Sequence, residues 1–383
     1  MQYRKFGKLD FDVSAFGLGC MRLPLKVQPD GSRDYSQIDE EEAIRMIRYA
    51  VDHGVNYLDT AYSYHGGNSE RVVGKALKDG YREKVKLATK CPIWMVNGPD
   101  DFEKLLDEQL GKLEVDHIDF YLLHSLNKDS WKKVLQFDGL SFLDRAKQSG
   151  KIKYAGFSFH DDLSVFKEII DSYAWDMCQI QLNILDEEYQ AGAEGLRYAH
   201  SKGIPVVIME PLKGGKLAQN VPADIQAAWD GAPVKRSPQE WAFRWVANFP
   251  EVTVILSGSS TMEQLQDSIQ IFETAAPNSL TEEELKIIQE VKNLYMSKIK
   301  VDCTSCNYCM PCPSGVNIPR LFQLYNDSAM YEIFDEYANH YEWFVKDDKD
   351  ASQCVECGQC EDACPQNLPI IEKLKEVHAY FTR

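Results

Sequence analysis

Nowhere in its 383 residues does this chain run apolar for the roughly 20 positions that a membrane-crossing helix needs. Its first residues, MQYRKFGKLDFDV, lack the apolar core of a signal peptide, so a cytoplasmic protein with no membrane partner is expected. Cationic side chains are in deficit: 42 Lys+Arg against 59 Asp+Glu leave a net charge of −17. That sign argues against a nucleic-acid partner, because phosphate binding needs a clustered basic surface. The phosphate loop G-x-G-x-x-G is also missing, which argues against a doubly wound dinucleotide-binding sheet. Cysteine is scarce for three hundred residues. Only Cys20, Cys91 and Cys178 occur there, each alone in an apolar stretch and expected to be a small buried hydrophobe.

What the first 275 residues do contain is an eightfold alternation. Short β-rich runs fall at 15–19, 55–58, 85–89, 118–123, 152–157, 178–182, 204–209 and 252–256. Most are continuously apolar, as strands buried on both faces are. Amphipathic segments with helix-start signals lie between them. In SPQEWAFRWVANF, for example, Ser237 stands as N-cap, Pro238 at the first helical position and Glu240 completes a capping box. Eight β-then-α units over about 250 residues predict a (β/α)₈ TIM barrel. The opening YRKFGKLDFDV reads as a β-hairpin ahead of the first barrel strand, placed to close the barrel's bottom.

Chemistry in such a barrel sits where the strands end. NYLDTAYSYHG offers Asp59 and Tyr64, KLATK offers Lys90 and FYLLHS offers His124. Four ionisable side chains from three successive strands thus converge on one rim. They suit carbonyl reduction, in which a developing alkoxide needs a proton donor and a positive field. A phenol with pKa near ~10 donates poorly at neutral pH, and a buried ammonium beside it favours the phenolate. Asp59 is expected to hold Lys90 charged, and His124 to hydrogen-bond the carbonyl oxygen.

With these residues in view, the chain resembles the aldo-keto reductase family. KFGKLDFDVSAFGLGCMRLP, VNYLDTAYSYHGGNSERVVGKAL, LATK, DFYLLH, GFSFH, EPLKGGKL and WAFRWVANFPEVTVILSGSSTMEQL follow its landmarks in order over residues 1 to about 275. The resemblance implies a catalytic tetrad of Asp59, Tyr64, Lys90 and His124. It also implies NADPH or NADH lying across the barrel mouth, with Ser158 and Gln179 on the nicotinamide carboxamide. Met209 stands where an aromatic residue usually stacks on that ring, and Phe159 where an asparagine usually follows the serine. Pro211, Leu212 and Gly214 are placed near the pyrophosphate; Ser257, Gly258, Ser259 and Gln264 are placed near the adenosine end. Between Trp245 and Leu285 there is no Lys or Arg to clamp a 2′-phosphate; Lys213 and Lys216 are the candidates that remain. Met21, Tyr62, Trp94 and His160 are expected to line the pocket mouth.

The other eight of the 11 cysteines fall in two runs near the C-terminal end. Cys354, Cys357, Cys360 and Cys364 before Pro365 match C-x₂-C-x₂-C-x₃-C-P, the two-cluster iron–sulfur pattern in which the fourth cysteine serves the other cluster. Cys303, Cys306, Cys309 and Cys312 before Pro313 are one residue shorter at the last gap. Cross-ligation then places Cys303, Cys306, Cys309 and Cys364 on one 4Fe-4S cube, and Cys354, Cys357, Cys360 and Cys312 on the other. Zinc favours two separated C-x₂-C pairs around one ion. The short gap also leaves room for a single cluster or a three-iron form. The helical NIPRLFQLYNDSAMYEIFDEYANHYEWF between the runs resembles α-helical ferredoxin domains, and a barrel followed by such a domain is a subfamily this chain resembles.

The domain boundaries read from the sequence are a barrel over 1–275, a helical linker over 276–300 and a 4Fe-4S ferredoxin-type domain over 301–383. The function expected is NAD(P)H-dependent reduction of a small carbonyl substrate, with Tyr64 as general acid and a cluster domain that meets ferredoxin or another electron carrier. Two alternatives stand beside it. In one, an electron-transfer or redox-regulated module binds nucleotide in its barrel without turnover; in the other, the clusters are purely structural. The last 83 residues carry 6 Lys+Arg against 14 Asp+Glu, which makes either a solvated acidic surface or a docking face for a basic carrier.

Overall fold

The computed structural model describes residues 1–383. It divides into two compact units, one formed by Met1–Leu217 and Gln239–Thr281, the other by Ala218–Pro238 and Glu282–Arg383.

Twelve strands are present in the first unit: β1 (Tyr3–Lys5), β2 (Asp12–Ser14), β3 (Phe16–Gly19), β4 (Leu25–Val27), β5 (Arg33–Ile38), β6 (Tyr57–Asp59), β7 (Lys86–Cys91), β8 (Ile118–Leu126), β9 (Ile152–Phe159), β10 (Met177–Gln181), β11 (Val206–Met209) and β12 (Val252–Ser257). Eight of them, β3 and β6 to β12, close into a parallel barrel in which β12 returns to pair with β3. These eight are the runs that the apolar pattern marks, with ends displaced by one to a few residues. The barrel strands are buried almost throughout, because helices cover their outer face and side chains fill the lumen.

The β1–β2 hairpin pairs Tyr3 with Ser14 and Lys5 with Asp12. It presents Phe6 and Val13 to a cluster made by Tyr57, Phe120, Leu122, Met177, Val207 and Val254 from the barrel strands. The Phe6 ring lies 4.7 Å from that of Phe120. This hairpin therefore plugs the lumen at the strands' N-terminal end, away from the rim that carries chemistry. Gly7 is required at its turn: φ is +56°, and a Cβ there would stand 2.4 Å from Pro205 Cγ.

A second hairpin, β4–β5, lies between β3 and the helix Glu40–Asp52. The alternation of strands and helices gives no hint of it, because its residues are mostly exposed and polar. Only the turn signal Pro29-Asp30-Gly31 marks the place.

In the second unit the chain is helical, with Ile318–Tyr331, Asp335–Lys346 and Ile370–Phe381 enclosing a small aromatic core and no strand. Tyr341 stacks on Phe381 at 5.0 Å. The helix Ala223–Gly231, which precedes β12 in the sequence, packs within this unit on Glu282–Ser297. Lys298 ties it further by pairing with Asp224 at 2.9 Å and Glu332 at 2.8 Å.

Candidate active site and cluster sites

The C-terminal ends of β6, β7 and β8 bring Asp59, Lys90 and His124 to one rim, and the short 3₁₀ turn Tyr64–Gly67 returns Tyr64 to it. Lys90 is fully sequestered from water at 1% exposure. Its Nζ donates to Asp59 Oδ1 at 2.5 Å, to Thr60 O at 2.9 Å and to Tyr64 Oη at 3.3 Å. Three protons thus meet three acceptors, which fixes the ammonium at a single position. Burial by itself lowers the Lys90 pKa, but Asp59 and Tyr64 outweigh it and hold the group above the ordinary lysine value, hence charged.

Lys90 is braced from behind. Gln109 Nε2 donates to Lys90 O at 3.1 Å and to Glu70 Oε1 at 2.5 Å, while Tyr121 Oη donates to Gln109 Oε1 at 2.8 Å. Thr89 Oγ1 donates to the same Glu70 oxygen at 2.7 Å.

The Tyr64 phenol differs from expectation. Lys90 draws it down, but burial is the larger influence and the group lies above the ordinary phenol value. At neutral pH it is a fully protonated donor, not a partial phenolate. Burial, then Lys90 and His160, push His124 well below the usual histidine range, so it is neutral. Its Nδ1 is buried and meets no hydrogen-bond partner. The Tyr64 and His124 rings stand edge to face at 6.1 Å, and Trp94 approaches His124 at 5.1 Å.

The residues expected around a nicotinamide lie on the next strands of the same rim. Ser158 Oγ accepts from Ser125 N at 2.8 Å and keeps its own proton to give. Gln179 is 2% exposed, and its Oε1 has no partner. That orphaned oxygen fits an amide ligand, since a buried acceptor left unpaired costs about 1–3 kcal/mol. Met209 is half-buried at the end of β11. Phe159 turns away from the lumen to pack on Phe166 at 5.2 Å, so the phenyl ring leaves the mouth open where an asparagine is usual.

Beyond Met209 the loop carrying Pro211, Leu212 and Gly214 runs through positive φ at Glu210, Lys213, Gly214 and Gly215. Lys213 is occupied: Nζ lies 2.7 Å and 2.8 Å from the two carboxylate oxygens of Asp186. Its charge is spent there, which weakens it as a 2′-phosphate clamp. Past Ser257, Gly258 and Ser259, Thr261 caps the helix Met262–Ile271, and Gln264 Oε1 accepts from Ser260 N at 2.9 Å.

Sequence reasoning passed over Arg22. A Cβ on Gly258 would stand 3.0 Å from Arg22 Cβ, and one on Gly214 would stand 3.2 Å from Arg22 Nη2. Arg22 therefore spans the two glycine-bearing loops, and the glycines let backbone approach it closely. The signal available was its place three residues after the end of β3, on the rim where cations are few. Tyr62, in contrast, leaves the mouth, giving its hydroxyl to Glu108 at 3.0 Å beneath the Lys112 ammonium at 3.6 Å.

In the second unit the cysteines sort across the two runs. Cys303, Cys306 and Cys309 border one cavity together with Cys364, floored by Ile318, Phe322 and Ile370. Cys312, Cys354, Cys357 and Cys360 border another, of about 230 Å³, with Cys309 at its edge. Four cysteines around each cavity suit a polynuclear group such as an iron–sulfur cluster. Burial first, then the negative charge of neighbouring cysteines including Cys364, raises the Cys303 thiol, and Cys309 behaves alike. Cys360 is pushed up to about 11 by burial, with Glu361 and Cys354 adding to it. Thiols so crowded call for a cationic group to become thiolates. Cys20, Cys91 and Cys178, in contrast, are fully buried in the barrel.

Comparison with known proteins agrees with this geometry. A family profile described as "Aldo/keto reductase family" matches residues 16–293, and one described as "4Fe-4S dicluster domain" matches residues 302–368. The chain is similar to the uncharacterized oxidoreductase YqkF of Bacillus subtilis, 27% identical over 76% of this chain and 96% of that protein. It is also similar to the NADH-specific methylglyoxal reductase of Escherichia coli, 26% identical over 69% of this chain and 91% of that protein. Among solved structures, the holo form of aldo-keto reductase AKR11C1 from Bacillus halodurans aligns with a TM-score of 0.63 at 28% identity, covering 76% of this chain and 96% of that one. The thermostable aldo-keto reductase Tm1743 aligns with a TM-score of 0.60 at 26% identity, covering 76% of this chain and all of that one. The chain belongs to the aldo/keto reductase family and carries, behind its barrel, a 4Fe-4S dicluster domain.

Proposed function

We propose that this oxidoreductase reduces an aldehyde or ketone to the alcohol, with Tyr64 as proton donor, and that its second unit holds two 4Fe-4S clusters serving an external one-electron carrier. The observation that carries the first part is the Lys90 ammonium, caught between Asp59, Thr60 O and Tyr64 in a site closed to water.

The family draws on NADH or NADPH, which when bound supplies hydride to the carbonyl carbon. The residues do the rest. His124, held neutral, offers the carbonyl oxygen a hydrogen bond without adding charge. Tyr64 gives its proton to that oxygen as negative charge develops there. Lys90 stabilises the phenolate left behind, and Asp59 keeps Lys90 cationic and in place. In the alcohol-oxidising direction the same phenolate takes the proton back.

Ser158 and Gln179 are the groups placed to hold the carboxamide, and Arg22 with the Gly214 and Gly258 loops the groups placed near phosphate. For the clusters, Cys303, Cys306, Cys309 and Cys364 form one ligand set, and Cys312, Cys354, Cys357 and Cys360 the other. Bound there, each cluster supplies a one-electron acceptor and donor.

The test is anaerobic purification followed by turnover of a carbonyl panel with NADH and with NADPH. Tyr64→Phe is expected to lower kcat by about 10²–10⁴-fold while nucleotide binding survives. Iron analysis is expected to give eight irons per chain under this two-cluster assignment. Unchanged turnover in Tyr64→Phe would sink the tyrosine mechanism, and four irons per chain the two-cluster assignment.

A further inference from the structure

His65, next to the proposed donor, has no part in the reaction above, yet the chain strains to place it. Its φ of 53° is left-handed and it is 1% exposed. Its two ring nitrogens make bonds of opposite polarity. Nδ1 faces Tyr35 O at 2.8 Å and so carries the proton; Nε2 accepts from Leu23 N at 3.1 Å. The imidazole also stacks on the Tyr35 ring, centroids 4.5 Å apart at 21°. Asn68 Nδ2 adds a bond to Ser36 O at 3.0 Å, and Gly66, at φ +63°, lets Ser36 Cβ approach to 3.3 Å of where its own Cβ would be.

The turn that carries Tyr64 is therefore clamped to the hairpin β4–β5, and the clamp brings Tyr35 to the active-site rim. The Tyr35 hydroxyl reaches towards Met21 O at 3.4 Å. Tyr35 nonetheless leaves 46% of its surface bare, Trp94 beside His124 leaves 51%, and Met21 leaves 42%. Apolar surface left open around a polar, water-excluding centre is what a ligand's own apolar face covers.

We propose that Tyr35, clamped by His65, is a specificity-determining wall of the carbonyl pocket, selecting aldehydes or ketones that carry a flat apolar or aromatic group. The inference rests on the carbonyl-reductase reading above. Tyr35 is expected to touch substrate; His65 is a positioning residue that acts through the hairpin.

The experiment uses the full chain and compares benzaldehyde with propanal. Tyr35→Ala is expected to raise KM for benzaldehyde about tenfold or more, with kcat within about twofold and propanal little changed. Tyr35→Phe, which keeps the ring, is expected to behave as the parent. His65→Leu is expected to speed amide exchange across residues 25–38 and to reproduce the benzaldehyde KM shift. His65→Asn, which keeps a donor and tolerates positive φ, is expected to reverse both in part. Equal KM shifts for both aldehydes, or none, overturn the wall; unchanged exchange in His65→Leu overturns the clamp. Saturation-transfer NMR of benzaldehyde reads the pocket without turnover. Binding that Tyr35→Ala removes supports the wall even if no alcohol forms, a result that would count against the carbonyl-reductase reading alone. Absence of binding to the parent chain overturns the wall.

Discussion

Three protons on the Lys90 ammonium and three acceptors around it make this lysine the residue on which the active site turns. Its charge is secured by Asp59 and Tyr64 against burial, and the same burial keeps Tyr64 protonated. A pH prediction follows with a definite sign. With Tyr64 as the proposed donor and its pKa above the ordinary value, reduction is expected to lose that donor only when pH passes above the usual phenol range near ~10. Since His124 lies well below the usual histidine range, no limb attributable to it is expected near pH ~6.5. Measuring kcat/KM for reduction between pH 5 and 10 checks both, with a plateau as the expected outcome; a fall centred near pH 7 would contradict them. Asp59, Lys90 and His124 were legible as candidates because each is a polar side chain at or near the end of an apolar run, whereas Tyr64 follows five residues after Asp59 on its own turn. The net direction of the tyrosine's shift was not legible. It depends on how much surrounding protein displaces water, which the order of residues does not state.

Among the elements, the barrel strands follow from apolar runs that only a doubly covered sheet can bury, and the β1–β2 plug follows from a hairpin pattern ending in Phe6 and Val13. The β4–β5 hairpin follows from nothing of the kind. It is exposed and polar, and its position is set by His65 and Asn68, which are distant in sequence and bond Tyr35 O, Ser36 O and the adjoining Leu23 N. The cysteine-bearing loops are an intermediate case, since their spacing predicts cross-ligation and the fold groups Cys364 with the first run. Exchanging single cysteines tests that grouping. Cys364→Ser and Cys306→Ser are expected to disturb one and the same EPR signal of the reduced protein, while Cys312→Ser and Cys357→Ser disturb the other. If Cys364→Ser instead shares its signal with Cys357→Ser, each run serves its own cluster.

For the whole molecule, the two compact units do not follow the order of the chain. The helix Ala223–Gly231 precedes β12 in sequence but packs within the second unit, with its Trp229 and Ile225 buried. The boundaries read from the sequence, a barrel over 1–275, a helical linker over 276–300 and a cluster domain over 301–383, follow chain order, whereas residues 218–238 group with 282–383. The second unit's helices have a modest aromatic core of their own, whereas its cysteine loops are irregular and border cavities. Removing iron with an anaerobic chelator is expected to speed amide exchange over residues 303–315 and 353–369 while the barrel strands keep their protection, because metal binding and folding are linked where ligands come from loops. Exchange that is unchanged in both loops would mean they fold without the clusters. The sequence by itself determined the eight barrel strands, the candidate rim residues and the cysteine spacing, since periodic burial and ligand spacing are local properties of a chain. Only the tertiary structure decided that burial raises the Tyr64 phenol above its ordinary value, that Lys213 is spent on Asp186, that Arg22 spans two glycine loops and that a polar hairpin stands beside Tyr64. Each of those depends on which distant groups share one small volume, with water excluded from between them.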